Sequence, residues 1–227
     1  MGTAYGNVWP RRRLVVSLGL LAAGGPAVAQ PAEGVRVWDF AVSLDGDPIG
    51  THRFEVRQSG SSLTMRGEAA FAVKIFGLTV YRYRHVVTSR WVGDCLASLS
   101  AQTDDDGVMA SVVAEGVGDG VRVVRRQGGG GEVEQSVAGC LMDFAYWNPR
   151  MLGQTRLLNP QTGEVEPVRI VAGREGEVVA RGAGVSARSW RIIGTHEPIE
   201  VWYSGQGAWV GLDAAVKGRR TLSYRLQ

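Results

Sequence analysis

Cysteine and histidine are scarce in this chain of 227 residues: Cys95 and Cys140 are the two cysteines, and His52, His85 and His196 the three histidines. Widely separated cysteines and scattered histidines lack the close pairs that a zinc site needs, so no metal centre is expected. The chain has no G-x-S-x-G turn, which excludes the nucleophile elbow of the α/β-hydrolases. "QGGGGE" (127–132) has no strand-loop-helix context and is not a phosphate loop. Asp104, Asp105 and Asp106 lack EF-hand spacing and read as a solvated turn rather than a calcium site. No run of ten residues has the apolar spacing of an amphipathic helix, and no repeat of fixed period is visible. Nothing in these patterns calls for a cofactor.

The one long apolar run lies at the start. Arg11, Arg12 and Arg13 precede "LVVSLGLLAAGGPAVA" (14–29), which ends in the small-x-small triplet Ala27-Val28-Ala29. This is the pattern of a signal peptide over residues 1–29, with Gln30 as the new N-terminus. The apolar run contains glycines and a proline and has no stop-transfer flank, so no transmembrane anchor is expected after cleavage. "RRRLV" also loosely fits a twin-arginine signal. Of the 25 Lys and Arg, three lie in this segment, which carries no acid; the remainder balances 22 bases against 22 acids. A neutral domain over residues 30–227 has no global electrostatic reason to seek nucleic acid or an anionic surface. Export also bears on the cysteines. In an exported protein an even cysteine count points to a Cys95–Cys140 disulfide, worth roughly 4 kcal/mol for a loop of this length. The alternative is two buried free thiols.

What is present is period-two alternation. "VRVWDFAVSL" (35–44) places Trp38, Phe40, Val42 and Leu44 on one face; "DGDPIG" (45–50) turns the chain; "THRFEVR" (51–57) places His52, Phe54 and Val56 on one face. A third run aligns Leu63, Met65, Ala69, Phe71, Val73 and Ile75. A fourth aligns Tyr81, Tyr83, His85, Val87 and Trp91 against Arg82, Arg84 and Arg90. Runs flanking "DDDG" (104–107) and Gly128–Gly131 read as hairpins. "VEPVRIVAG", "GEVVARG", "VSARSWRIIG", "IEVWYSGQGAWVGL" and "RTLSYRL" continue the pattern. Strands this long, with one apolar and one charged face, predict an all-β, antiparallel curved sheet closing into a barrel or half-barrel, lipocalin-like or lipoprotein-carrier-like, with little helix. The expected organisation is a signal peptide followed by a single β-barrel-like domain.

One stretch departs from the pattern: "CLMDFAYWNP" (140–149). Asn148-Pro149 disfavours helix at position 148, so any helix before it is about one turn. Asp143 is a candidate cap for that turn. The structural reading is an aromatic crossover, tethered through Cys140 to Cys95, that plugs the barrel mouth. The functional reading makes it the rim of a ligand pocket. The candidate ligand-binding residues are then Tyr81, Tyr83, His85, Asp143, Phe144, Tyr146, Trp147 and Asn148. A lone histidine on an apolar face is more often a hydrogen-bonded core residue than a general base, and that reading holds for His85.

The stretches "WDFAVSLDGDPIGTHRFEV", "VYRYRHVVTSRWVGDCL", "CLMDFAYWNPRML", "LLNPQTGE" and "VWYSGQGAWVGL" together resemble a proteobacterial family of exported proteins, domain-of-unknown-function family 6134. "LDGDPIGTHRFEV" is also similar to a broader set of periplasmic proteins that open with a strand, a G-x-x-I-G turn and a returning strand. The resemblance implies a periplasmic β-rich domain and carries no activity or catalytic residues with it. The expected function is binding or carriage of an apolar, lipid-like small molecule in the periplasm. Two rivals stand beside it. One is a cofactor-independent enzyme acting on a similar molecule through His85, Asp143 and Tyr146. The other is an envelope protein–protein interaction module using exposed strand edges.

Overall fold

Apart from Met1, the computed structural model describes residues 34–195, 197–216 and 220–227. The expected signal peptide and His196 lie outside the described residues.

The N-terminal meander runs β1 (Gly34–Leu44), β2 (Asp47–Ser59), β3 (Ser62–Ile75), β4 (Leu78–Val92), β5 (Cys95–Asp105), β6 (Val108–Val117), β7 (Gly120–Gln127) and β8 (Val133–Ala138). A crossover follows, and it contains a short two-stranded pair, β9 (Arg156–Leu158) and β10 (Val165–Pro167). A second meander follows: β11 (Arg169–Ala180), β12 (Ala183–Ile193), β13 (Ile199–Ser204), β14 (Trp209–Val216) and β15 (Arg220–Leu226). The last strand pairs with the first, Phe40 opposite Leu226, so the two meanders join into one antiparallel sheet of thirteen strands. Its order is β11-β12-β13-β14-β15-β1-β2-β3-β4-β5-β6-β7-β8. The strands β8 and β11 are its edges. The sheet is open, and of the two forms expected it is the half-barrel.

Alternation decides which side chains face inward. On β4, His85, Val87, Ser89 and Trp91 are buried while Arg82, Arg84 and Arg90 are exposed. On β1 and β2, Phe40, Val42, Leu44, Phe54 and Val56 are buried. The expected register therefore holds on these strands; a slip of one residue would have turned every arginine inward. Four two-residue turns have positive φ at both positions: Asp45-Gly46, Phe76-Gly77, Asp106-Gly107 and Arg181-Gly182. This is the twist that right-handed strands require of a tight hairpin. Aspartate tolerates it and here earns local bonds: Asp45 accepts from Thr221 N at 2.7 Å and Asp106 from Arg82 N at 3.1 Å. Phenylalanine and arginine have no such excuse.

The crossover, residues 139–168, runs through the concave side. Cys140 is bonded to Cys95, with Cα atoms 5.1 Å apart. Leu96 N donates to Leu141 O at 2.9 Å, and Leu158 N to Met142 O at 2.9 Å. Leu141, Met142, Ala145, Trp147, Met151, Leu157 and Leu158 are all buried in the main core. Trp147, 3 % exposed, meets Trp91 edge to face at 5.5 Å. Three local expectations are corrected. The helical turn follows Asn148-Pro149 rather than preceding it: a 3-10 helix spans Pro149–Gly153, and its cap is Asn148, whose side chain accepts from Arg150 N at 3.1 Å. Asp143 caps nothing, because it lies buried in an extended segment bridged to Leu158. "VEPVRIVAG" is not one strand. Val165–Pro167 pairs with β9, and Val168 N bonds Thr155 O at 2.8 Å before β11 begins.

With Trp147 enclosed by the core, Trp147→Ala should cost about 3–5 kcal/mol. For a domain of this size, the thermal midpoint should fall by roughly 6–20 °C. Non-reducing peptide mapping should recover Cys95 and Cys140 in one cross-linked fragment.

Candidate functional site

The crossover covers the concave face where β4 runs into β5, with Trp147 on Trp91. Towards the other end, strands β1 to β4 and β15 present a group of rings that are only partly buried. Phe71 of β3 stacks on Tyr83 of β4, with centroids 5.2 Å apart and planes at 11°. Tyr224 of β15 meets Phe71 edge-on at 6.2 Å. His52 of β2 stacks on Phe54 at 4.0 Å and lies 5.7 Å from the Tyr224 ring. Tyr83 and His85 are 6.4 Å apart. From the crossover side, Phe144 and Tyr146 approach with centroids 6.1 Å apart, and Tyr146 lies against Trp209 at 5.5 Å. The Tyr146 carbonyl accepts from Tyr203 Oη at 2.7 Å, which fixes the crossover at this point.

Burial sets the charge of this lining. His85 donates or accepts at Thr103 Oγ1, 2.9 Å from Nδ1, and burial lowers its pKa to about 4. His52 has neither ring nitrogen bonded; burial first, then the nearby His85, lowers its pKa to about 3. Both imidazoles are neutral at physiological pH. Burial raises the Tyr83 and Tyr224 phenols above their ordinary range. It does the same for Tyr146, helped by the neighbouring Tyr224, Tyr203, Glu166 and Asp143. Asp143, 2 % exposed and without a hydrogen-bond partner for its carboxyl, is raised to about 7 by burial. The lining is thus aromatic and largely uncharged, with imidazole and phenol groups as its polar handles.

Of the residues singled out in the sequence, the structure gathers Tyr83, His85, Phe144 and Tyr146 around this concavity, with Asp143 buried behind Tyr146. Tyr81 lies nearer the hairpin tip, where its hydroxyl donates to Asp105 at 2.6 Å. Trp147 is enclosed by the core. Asn148 faces the opposite end, 3.4 Å from the Asp94 carboxylate. Reading the sequence did not include His52, Phe71 and Tyr224 among the candidates. Alternation puts His52 and Phe71 on the inward face, so their strands carried the signal. Tyr224 joins them through the β1–β15 pairing, which no local pattern reveals. Two open clefts, of about 500 Å³ beside Glu164–Pro167 and about 490 Å³ between Leu152, Trp190 and Tyr203, flank the crossover. Neither is lined by the rings of the concavity.

Fold and lining together define an open, β-barrel-like protein with an aromatic concave face. The chain belongs to the family described as a domain of unknown function, DUF6134, which it matches over residues 40–227. No curated protein matches it. Among solved structures it is similar to the beta-barrel-like protein of domain of unknown function DUF1849 from Brucella abortus, with a TM-score of 0.56 and 12 % identity over 87 % of this chain and 97 % of that one. At that identity the likeness is one of fold.

Asp143 yields a pH prediction. Its folded pKa lies above the unfolded value, so its protonated form stabilises the fold fully below pH 4, and that contribution is lost as pH rises through about 7. The loss is on the order of 4 kcal/mol. The depressed histidines act oppositely, weakening the fold as pH falls below 6.5, so the useful quantity is a difference between proteins. Asp143→Asn should melt like wild type near pH 4 and higher, by up to roughly 10 °C, near pH 8. Equal melting curves at both pH values would contradict the account.

Proposed function

We propose that this protein is exported to the periplasm and binds or carries an apolar, lipid-like small molecule on its concave face. The observation that supports this best is the cluster of half-buried, uncharged rings, His52, Phe71, Tyr83, Tyr146 and Tyr224, on the inward side where the crossover leaves off. A largely apolar lining with a few polar handles is the usual make-up of a small-molecule site. The rings touch one another, so a ligand enters by parting them rather than by filling a vacant hole. The Cys95–Cys140 disulfide agrees with folding in an oxidising compartment. Among the described residues, no helix is long and apolar enough to cross a membrane.

The rival readings have less support. As an enzyme, the protein would need His85, Asp143 and Tyr146 to pass a proton. Among the described residues the Asp143 carboxyl has no hydrogen-bond partner, and His85 bonds Thr103 instead. As an assembly module, it would need strand edges open to addition. The edge strand β11 exposes Arg174, Glu175 and Glu177, charges of the kind that discourage strand addition.

The ligand reading is tested with a fluorescent fatty-acid probe. Tyr83→Ala should weaken probe binding about tenfold, the loss expected for one large apolar contact. Trp147→Ala, measured below its melting range, should bind as wild type does. Probe affinity unchanged by Tyr83→Ala would reject the concavity as the site.

A further inference from the structure

The hairpin joining β3 and β4 is longer than its neighbours. Pairing of β3 with β2 ends at Phe71, opposite Gly50, and β4 meets the β5–β6 turn no further out than Arg82, whose carbonyl accepts from Asp106 N at 2.8 Å. Beyond those points the two strands pair only with each other, down to Ile75 opposite Leu78. The resulting finger ends in exposed apolar side chains: Ile75 and Val80 on its sides, Leu78 at 72 % exposure and Phe76 fully exposed. Val108 and Met109, also exposed, start the strand after the neighbouring turn.

Phe76 is the telling residue. It occupies a left-handed position, φ 49°, which Asn or Asp would fill at less strain, and it makes no packing contact that compensates. Folding alone therefore gives no reason for a phenylalanine there. Around the tip, Lys74, Arg82 and Arg84 are exposed, and among the described residues none of them forms an ion pair. The three acids of the adjacent turn accept bonds from neutral donors, Asp104 from Gly107 N, Asp105 from Tyr81 Oη and Asp106 from Arg82 N; their carboxylates stand beside these cations, Asp104 directly across the strands from Arg84, and none is within ion-pair distance of them. An apolar point with unpaired cations behind it matches the cross-section of an anionic bilayer, with hydrocarbon at the boundary and phosphate above it.

We propose that the β3–β4 finger docks on an anionic lipid bilayer, with Phe76 and Leu78 entering the headgroup–acyl boundary and Lys74, Arg82 and Arg84 facing lipid phosphates. The finger continues into the stacked Phe71–Tyr83 pair, so docking brings the mouth of the concavity to the membrane. The docking goes beyond the ligand reading and stands without it, because one experiment reads vesicle binding and the other reads probe binding.

The test is flotation of the full-length chain with vesicles of phosphatidylcholine and phosphatidylglycerol in equal parts, and with phosphatidylcholine alone. Wild type should float with the mixed vesicles and much less with the neutral ones. Phe76→Asn should lower the bound fraction about tenfold. Since asparagine suits the turn, its melting midpoint should equal or exceed that of wild type, which separates docking from folding. Arg82→Glu should remove the preference for anionic vesicles. Absence of wild-type binding would overturn the proposal. So would equal binding by Phe76→Asn, which would place the affinity elsewhere, as in apolar residues 14–29. Self-association of wild type that Phe76→Asn abolishes, without vesicle binding, would make a second copy the occupant and overturn it too.

Discussion

An open sheet of thirteen strands has an apolar inner face and two unpaired edges, and the inner face must be covered. Residues 139–168 do this. They carry no strand long enough to extend the main sheet and no α-helix. Their cohesion comes from side chains, from a backbone bond to β5, from a few backbone bonds within the segment, and from the Cys95–Cys140 link. The link matters because irregular backbone gains little from its own hydrogen bonds and loses much entropy on ordering. Trp147 against Trp91 and the buried Leu141, Met142, Met151, Leu157 and Leu158 then convert a tethered loop into core.

The cover is incomplete, and the incompleteness generates the candidate site. Trp91, which meets Trp147 of the crossover, is fully enclosed. Further along the sheet the inward residues become Phe71, Tyr83 and His52, which no crossover side chain buries completely. Partial burial has an electrostatic consequence. It leaves the rings accessible but removes the solvation that charged imidazole or phenolate would need, so the lining stays neutral. Asp143 shows the same effect from the enclosed side: with no partner, it gives up its charge near neutral pH.

The outer surface obeys the opposite rule. The arginines of β2 and β4 alternate with the inward rings, and exposed pairs such as Arg53–Asp39 at 2.7 Å and Arg122–Glu115 at 3.1 Å dress the convex face. Exposed pairs of this kind contribute little to stability; their role is to keep that face in water and thereby hold the register. The β3–β4 finger breaks this rule at its tip, and that departure distinguishes a surface shaped for contact from one shaped for solvation.

How much of this was legible in the sequence follows from the range of each interaction. The facing of β1, β2 and β4 was legible, because alternation is a local property of extended backbone; on β3 a register shift at Val73/Lys74 leaves Ile75 exposed, against its place in the inward run. The hairpins at Asp45-Gly46 and Asp106-Gly107 were legible for the same reason, as was the pairing of two lone cysteines once export was inferred. The cap at Asn148 was misassigned to Asp143 because both residues favour the role, and only packing against Leu158 decides which lies in extended chain. The protrusion of the β3–β4 finger is not legible in the sequence, since it depends on where the neighbouring strands stop. Alternation thus determined which side chains turn inward. The tertiary structure decided which of them are covered, because that depends on β15 pairing with β1, on β8 and β11 remaining apart, and on how far the tethered crossover reaches. Those contacts join residues distant in the chain and leave no periodic trace within it.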